Sequence, residues 1–303
     1  MILANKINYG DTLGIVGVAG AIGDREDHFI KAEKFLTEKG FKLKFGKNIR
    51  KNIYGSCGTP KERAEDFNAM ICDDEVKAII CLTGGENCNG MIDLIDYEAV
   101  KKHPKIVVGY SNVTVLLYAL LTQAGLIGFS GPAFLDFGTW KAEDQFRVFE
   151  NMFINKNVTD FQSSELTVIR EGDMSGTLIG TNLGTMIHLL GTKYFPDVTD
   201  AVLAVEFFQC SHLRCVRILS QLKQCGIFDK LNGMIVCYNY SFQEEGKGEP
   251  QLEDWLLEYT NEYSFPIVKC NTFGHKIINT ILPIGSQINI KNGNISEISE
   301  FLI

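Results

Sequence analysis

The 303-residue chain has little that would attract a polyanion or a membrane. Its net charge is −8 and its lysines are spread among acidic residues, so it lacks the basic stretch that binds nucleic acid or an anionic membrane. No uninterrupted apolar run reaches membrane-spanning length, and the first twenty residues show no basic region followed by an apolar core and a cleavage site. We therefore expect a cytoplasmic protein with small-molecule partners, no nucleic-acid partner and no membrane partner.

The sequence also lacks a cysteine framework. Its nine cysteines lie mainly in apolar surroundings such as "AIICLTGG" and "GMIVCYNY", which indicates free, buried thiols. Cys210, His212 and Cys215 are close in sequence, but no second ligand pair follows at zinc-site spacing, so we predict no metal. Low-complexity tracts and internal repeats are absent too. The composition is that of a globular protein, and the length allows two domains.

The first half of the chain alternates strand and helix patterns. Thr59 and Glu62 form a capping-box pattern with Pro60 at the first helical position, which predicts a helix start. Repeated strand–helix–strand order predicts parallel β-α-β units, hence an α/β fold with a doubly wound parallel sheet over residues 1–155. The predicted strands are "DTLGIVGVAG", "FKLKF", "VKAIICLTGG" and "KIVVGY".

The second half loses this rhythm after a polar stretch. We predict a linker over 156–170 and a smaller, β-rich, mixed α/β domain over 171–303, with an antiparallel end and a turn at Asn292 and Gly293. Its strand patterns are "LTVIREG", "AVLAVEFF", "GMIVCYNY", "FPIVKC" and "SQINIKNGNISEI". Its helical patterns lie at about 182–190, 211–224 and 251–262.

Ser111 stands where the apolar strand "KIVVGY" turns into a helix pattern. Ligands of open parallel sheets bind beyond the carboxyl ends of the strands. A serine on a sharp strand-to-helix turn, followed by the amide of Asn112 at a helix amino terminus, suits a nucleophile beside an oxyanion donor. The pattern G-Y-S-N-V lacks the second glycine of G-x-S-x-G, so an N-capping role for Ser111 stays open.

Gly84 and Gly85 end the preceding apolar strand and should lie at the same sheet edge as Ser111. Glycine lets backbone approach a ligand, so the Gly85 amide is a candidate second oxyanion donor; a plain turn is the alternative. The spacing of the earlier glycines matches neither the dinucleotide pattern nor the Walker pattern, so we interpret them as loop glycines. They are Gly14, Gly17, Gly20 and Gly23.

A serine nucleophile needs a base, and only five histidines are available. His275, in "KCNTFGHKIIN", comes just after a predicted strand on a glycine-bearing loop, where catalytic groups concentrate. Glu206 ends the apolar strand of "AVLAVEFFQ". It could orient the imidazole, or it could simply reach solvent at the strand end, and both interpretations stay open.

Several segments in order resemble the LD-carboxypeptidase family of serine peptidases, including its microcin C immunity branch. They are "LTGGENCNG", "IDYEAVKKHPKIVVGYSNVTVLLYAL", "GTLIGTNLGTMIHLLGT", "LAVEFFQ", "GIFDKLNGMIV" and "FGHKIINTILPIG", and they cover nearly the whole chain. The resemblance implies a triad of Ser111, Glu206 and His275, with the amides of Gly85 and Asn112 as the oxyanion hole. It also implies a class I glutamine amidotransferase-like amino-terminal domain, a carboxy-terminal domain carrying the glutamate and histidine, a homodimer, and no metal or organic cofactor.

Within the family, one branch cleaves the L,D bond of a murein tetrapeptide, and the other an amide that joins a peptidyl or aminoacyl group to a nucleotide-like moiety. "GGENCNGMIDLIDYE" and "GTNLGT" look more like the immunity branch. That branch has a base-stacking tryptophan, whereas Trp140 and Trp255 lie elsewhere here; Phe161 is a possible substitute. The implied substrate-binding residues are Gly84, Asn89, Asn182 and Lys276.

Two alternatives stay open at this level. Lys276 either binds a substrate carboxylate or faces water. The protein is either a hydrolase or a catalytically idle member that binds a peptide or nucleotide as a sensor. Competent residues at all three triad positions favour the hydrolase.

Overall fold

The computed structural model describes residues 1–245 and 250–303. The strands are β1 (Thr12–Val16), β2 (Lys42–Phe45), β3 (Val76–Cys81), β4 (Ile106–Gly109), β5 (Gly128–Ser130), β6 (Leu166–Arg170), β7 (Met174–Ile179), β8 (Ala201–Val205), β9 (Leu231–Tyr238), β10 (Ile267–Gly274), β11 (Leu282–Ile284), β12 (Gln287–Lys291) and β13 (Asn294–Ile298). The α-helices are α1 (Glu26–Glu38), α2 (Pro60–Cys72), α3 (Tyr97–Lys102), α4 (Thr114–Ala124), α5 (Ala142–Phe153), α6 (Thr159–Gln162), α7 (Leu183–Met186), α8 (His212–Gln224) and α9 (Leu252–Tyr259).

The chain forms two compact units. Unit 1 comprises Met1–Val158, Ile281–Ile284 and Glu300–Ile303; unit 2 comprises Thr159–Thr280 and Gly285–Ser299. The predicted linker, 156–170, carries α6 and β6. Domain boundaries at 155 and 171 stay a prediction.

Unit 1 is built on a six-stranded sheet with the order β11-β5-β4-β3-β1-β2. β1 to β5 pair in parallel, and β11 pairs antiparallel with β5. The four strands predicted in the first half are confirmed as β1 to β4. The strand order reverses between β1 and β3, which is the switch point where open α/β sheets bind ligands.

The helices of unit 1 form two packed groups. α1 packs on β2 and on the 3-10 segment Phe134–Gly138, which also contacts α5. α2 packs on α3, and α3 on α4. The strand order 2-1-3-4-5 within this sheet is the order of doubly wound folds, in which right-handed crossovers put the helices on both faces.

The start of α2 is specified locally, as predicted. The Thr59 side chain accepts a hydrogen bond from the Glu62 amide, and the Glu62 carboxylate accepts one from the Thr59 amide at 2.9 Å. Pro60 occupies the first helical position, where its missing N–H is not needed. The predicted capping box is confirmed.

Unit 2 is built on a seven-stranded sheet with the order β13-β12-β7-β8-β9-β10-β6. Strands β7 to β10 pair in parallel, whereas β6, β12 and β13 pair antiparallel with their neighbours. The predicted mixed α/β unit with an antiparallel end is therefore confirmed. β7 was not predicted, because "MSGTLI" carries Gly176 and lacks a clear alternation.

Across the described parts of the chain, none of the helices combines the length and the apolar character that a membrane crossing requires.

Candidate active site

Ser111 lies on a sharp turn between β4 and α4. Its φ is +63°, in the left-handed region, which costs a non-glycine residue about 1–2 kcal/mol to occupy. The serine begins a 3-10 turn, Ser111–Val113, and is half-buried. The N-cap positions of this turn and of α4 belong to Tyr110 and Val113, so the N-cap alternative for Ser111 is wrong. Strained backbone of this kind concentrates at functional sites.

Two glycines allow the loop after β3 to approach this turn. A Cβ on Gly84 would lie 2.8 Å from the Ser111 Cβ and 2.9 Å from its Oγ, closer than real side chains tolerate. Gly85 has a φ of +154°, and a Cβ there would lie 2.5 Å from the Gly20 nitrogen. The predicted neighbourhood of Gly84, Gly85 and Ser111 is thus present within unit 1.

We call the site formed by Ser111, Gly84 and Gly85 the Ser111 corner. The loop after β1 also belongs to this corner, although its sequence did not predict that. The Gly20 amide donates to the Gly84 carbonyl at 2.9 Å, so Gly20 is more than a loop glycine. Arg25 donates to the Thr83 hydroxyl at 2.9 Å and to the Ala21 carbonyl at 2.7 Å, tying the two loops together. No local sequence pattern indicates this role of Gly20, because the glycine is required for packing against a loop that is distant in sequence.

Asn112 holds the far end of the loop that carries Gly85. Its Oδ1 accepts a hydrogen bond from the Cys88 amide at 2.8 Å, and its side chain is buried. The Asn112 main-chain amide lies in the first turn, where helix geometry leaves amides without an intrahelical acceptor. One residue therefore supplies both a loop anchor and a candidate oxyanion donor.

In unit 2, Glu206 follows β8 and is completely buried. Its Oε2 lies 2.9 Å from Nδ1 of His275, and its Oε1 accepts a hydrogen bond from Nδ2 of Asn182 at 2.7 Å. A buried carboxylate is costly unless its oxygens are hydrogen-bonded, and both are bonded here. The alternative in which Glu206 reaches solvent is wrong.

His275 comes directly after β10 and is only 7% exposed. The Phe208 ring stacks on the imidazole, with centroids 4.2 Å apart and planes 9° apart. Asn279 Oδ1 accepts a hydrogen bond from the Gly274 amide at 2.7 Å, which fixes the backbone directly before His275. Asn239 Oδ1 accepts one from the Phe207 amide at 2.6 Å and fixes the segment after Glu206.

This arrangement prepares the imidazole for proton transfer. A carboxylate at Nδ1 favours the tautomer with its proton on Nδ1, which leaves the lone pair on Nε2. The carboxylate also stabilises the imidazolium that forms when Nε2 takes a proton. Unit 2 thus holds a buried, oriented acid–base pair.

The LD-carboxypeptidase N-terminal domain model matches residues 13–131, and the LD-carboxypeptidase C-terminal domain model matches residues 175–290. The chain belongs to the LD-carboxypeptidase family. The resemblance seen in the sequence motifs is confirmed, and with it membership of a family of peptidases.

Among its curated relatives, this LD-carboxypeptidase family member is 28% identical to the microcin C7 self-immunity protein MccF of Escherichia coli, over 99% of this chain and 97% of that protein. It is 30% identical to the Bacillus subtilis protein named "Probable murein peptide carboxypeptidase", over 93% of this chain and 89% of that protein.

Two solved structures resemble this family member over nearly the whole chain. MccF in complex with glutamyl sulfamoyl guanosine matches with a TM-score of 0.90 and 26% identity, covering 100% of both chains. Muramoyltetrapeptide carboxypeptidase from Oxalobacter formigenes matches with a TM-score of 0.79 and 23% identity, over 96% of this chain and 100% of that one, which shows a shared fold.

The residues predicted to bind substrate in this family member have different surroundings. Asn182 is buried and donates its amide hydrogen to Glu206, whereas Asn89 is half-buried in the 3-10 segment Cys88–Leu94. Lys276 is exposed, with its Nζ 5.8 Å from the centroid of Phe208. Phe161 is only 1% exposed, so its suggested role as a base-stacking ring is wrong.

Cys210, His212 and Cys215, at the start of α8 and just before it, have other surroundings. His212 Nδ1 accepts a hydrogen bond from Trp255 Nε1 at 3.0 Å, and burial raises the pKa of the Cys210 thiol to about 11. Within residues 1–245 and 250–303, no three His, Cys, Asp or Glu side chains are grouped so that they could hold a metal ion.

Proposed function

We propose that this chain is a serine amidohydrolase in which Ser111 is the nucleophile, His275 the general base and Glu206 the group that orients the imidazole. The observation that carries the proposal is the Glu206–His275 hydrogen bond at 2.9 Å, made by a fully buried carboxylate. A buried acid–base pair in a strand-end loop has no evident structural use that an apolar pair would not serve better. Ser111, which is half-buried on a strained turn, supplies the nucleophilic hydroxyl in this proposal.

In the proposed reaction, the Ser111 Oγ attacks the amide carbonyl while Nε2 of His275 takes the hydroxyl proton. The amides of Gly85 and Asn112 hold the tetrahedral oxyanion. The C–N bond then breaks, and the imidazolium protonates the leaving amine. Water, deprotonated by His275, hydrolyses the acyl-enzyme and frees Ser111. These steps use protein groups and water alone.

The proposed substrate contacts are Gly84, Asn89, Asn182 and Lys276. For Lys276 we propose a substrate carboxylate as the partner, because its ammonium group is exposed beside the ring that stacks on His275. For Asn182 the amide nitrogen serves Glu206, so any substrate contact would use its Oδ1. If Lys276 only faces water, the Lys276→Gln variant will keep the KM of the wild-type enzyme.

As substrate we propose a peptidyl or aminoacyl group amide-linked to a nucleotide-like moiety. What supports this is the TM-score of 0.90 over the whole of both chains to MccF complexes with glutamyl sulfamoyl guanosine, together with 26% identity. A murein tetrapeptide is the second candidate, supported by the 30% identity to the Bacillus subtilis relative.

Three further expectations belong to this proposal. Unit 1 is proposed to share the class I glutamine amidotransferase architecture, supported by its parallel strand order and a strained serine after a central strand. The protein is also proposed to be cytoplasmic and homodimeric, in line with the family resemblance.

The test is a parallel turnover assay of the wild-type protein and Ser111→Ala with murein tetrapeptide and with an aminoacyl sulfamoyl adenosine. We expect cleavage of the nucleotide-linked substrate, and a fall in kcat of about 10⁶-fold in the variant. Unchanged hydrolysis by Ser111→Ala would contradict the triad. Failure of a fluorophosphonate to label Ser111 in the wild type, with a ligand still raising its Tm, would instead indicate an idle sensor.

A further inference from the structure

Arg63, on α2, is a buried cation that the proposed reaction does not use. Its side chain is 1% exposed, and burial lowers the pKa of the guanidinium. Nη1 donates to the Gly58 carbonyl at 2.7 Å, and Nη2 donates to the Asn87 carbonyl at 2.9 Å. Among the described residues, its Nε has no hydrogen-bond partner.

This arrangement is expensive if its only purpose is to fill the core. A buried charge costs several kcal/mol unless it is paired, and the two acceptors of Arg63 are neutral main-chain carbonyls. An apolar side chain of similar volume would pack there without that cost. The guanidinium therefore needs an explanation in terms of what its two carbonyl partners hold in place.

Both partners belong to loops around the candidate oxyanion donor. Asn87 is two residues beyond Gly85, which at 3.8 Å per residue keeps their Cα atoms within about 8 Å. Gly58 adjoins Cys57, whose amide donates to the Ala19 carbonyl at 3.0 Å, next to Gly20. Arg63 thus connects the loop after β3 to the segment that packs on the loop after β1.

The loop that carries Gly85 is also anchored at both of its ends. The Gly20 amide holds the Gly84 carbonyl, and the Asn112 side chain holds the Cys88 amide. Arg63 binds between these points, at Asn87, where the chain leaves the glycine pair. The Asn87 side chain also donates to the Ser56 hydroxyl, so Arg63 holds the Asn87 carbonyl while Ser56 holds its side chain.

We infer that Arg63 is a positioning residue that holds the Gly85 amide in the direction required for oxyanion stabilisation. This inference rests on the proposed function. A preformed donor stabilises the developing charge without reorganisation, so a shift of about 1 Å in its position is expected to cost about 10²-fold in rate.

The test compares Arg63→Met, Arg63→Lys and a control, Met70→Ala. Met70 is buried on the same helix, and its sulfur lies beside Gly14 on β1, so its truncation loosens α2 without touching the Gly85 loop. The readout is the second-order rate of fluorophosphonate labelling of Ser111, followed by intact mass. In that step the Ser111 oxygen bonds to phosphorus, fluoride leaves, and His275 takes the proton. Melting temperatures are measured in parallel.

We expect labelling to slow about 10²-fold in Arg63→Met, with an unchanged pH profile because the base is untouched. Arg63→Lys keeps the charge but loses the two-pronged geometry, so about 10-fold slowing is expected. Met70→Ala should melt at a lower temperature and label within about 2-fold of the wild type, because its defect is distant from the loop.

Wild-type labelling rates in folded Arg63→Met would overturn the inference and leave the proposed function standing. If Arg63→Met is insoluble, Arg63→Lys decides alone, and an unchanged rate overturns the inference. Full turnover by Ser111→Ala, with no labelling of the wild type, would overturn the proposed function and this inference with it.

Discussion

The Ser111 corner in unit 1 and the Glu206–His275 pair in unit 2 are built by different physical means. The corner depends on missing atoms: Gly84 leaves room beside Ser111, and Gly85 leaves room beside Gly20. The pair depends on polar atoms that are present, because both oxygens of a fully buried carboxylate are hydrogen-bonded. We therefore expect activity to fall when atoms are added at the Ser111 corner, and also when hydrogen bonds are removed from the Glu206–His275 pair.

The greatest loss of activity is expected when the Glu206–His275 hydrogen bond is disrupted. Glu206→Gln keeps the volume but replaces one acceptor oxygen by an NH₂ donor, which must face either the His275 Nδ1 proton or the Asn182 amide. We expect kcat to fall by about 10⁴-fold, as for loss of the correct tautomer in other serine hydrolases. Turnover is measured beside Glu297→Gln, which neutralises an exposed carboxylate on β13. A loss below tenfold would show that Glu206 does not orient a catalytic imidazole.

The second-largest loss of activity is expected from adding a side chain to the Ser111 corner. In Gly84→Ala, the new Cβ would lie 2.8 Å from the Ser111 Cβ, so one of the two loops must shift. A displacement near 1 Å predicts a loss of about 10²-fold in kcat/KM. The control is Gly125→Ala, where φ is +71° and no atom lies within 4 Å of the added Cβ, so strain is introduced without a clash. Equal activity losses in the two variants would refute the steric account.

The smallest loss of activity is expected from a substitution at Asn182, which donates to the buried Glu206 carboxylate. In Asn182→Ala, Oε1 of Glu206 loses its donor while buried, which should lower the free energy of unfolding by about 1–3 kcal/mol. If Asn182 mainly orients Glu206, kcat falls while KM stays near its wild-type value. A rise in KM at constant kcat would instead assign Asn182 to substrate binding. Chemical denaturation and steady-state kinetics together distinguish the two roles.

Local features of the chain were predictable because local residues specify them. Strands β1, β3 and β4 follow from apolar runs, β2 follows from alternation, and the start of α2 follows from Thr59 with Pro60 and Glu62. The predicted strands of unit 2 were found for the same reason. β5 and β11 were missed because each has three residues, and they pair with each other from distant parts of the chain.

The candidate site shows the same division. Ser111, Glu206 and His275 could be proposed from strand ends and from the motifs that resemble the family. Gly20 and Arg63 could not, because each acts on a loop that is remote in sequence, through contacts that leave no local pattern.

Neighbouring residues specify where strands and helices begin and which residue types stand at the strand ends, because propensity, alternation and capping act over a few residues. The packing of distant segments makes Glu206 buried and hydrogen-bonded, holds Ser111 on a strained turn without a capping role, and buries the Phe161 ring. Burial and long-range hydrogen bonds depend on which distant segments pack together, and that is a property of the whole fold.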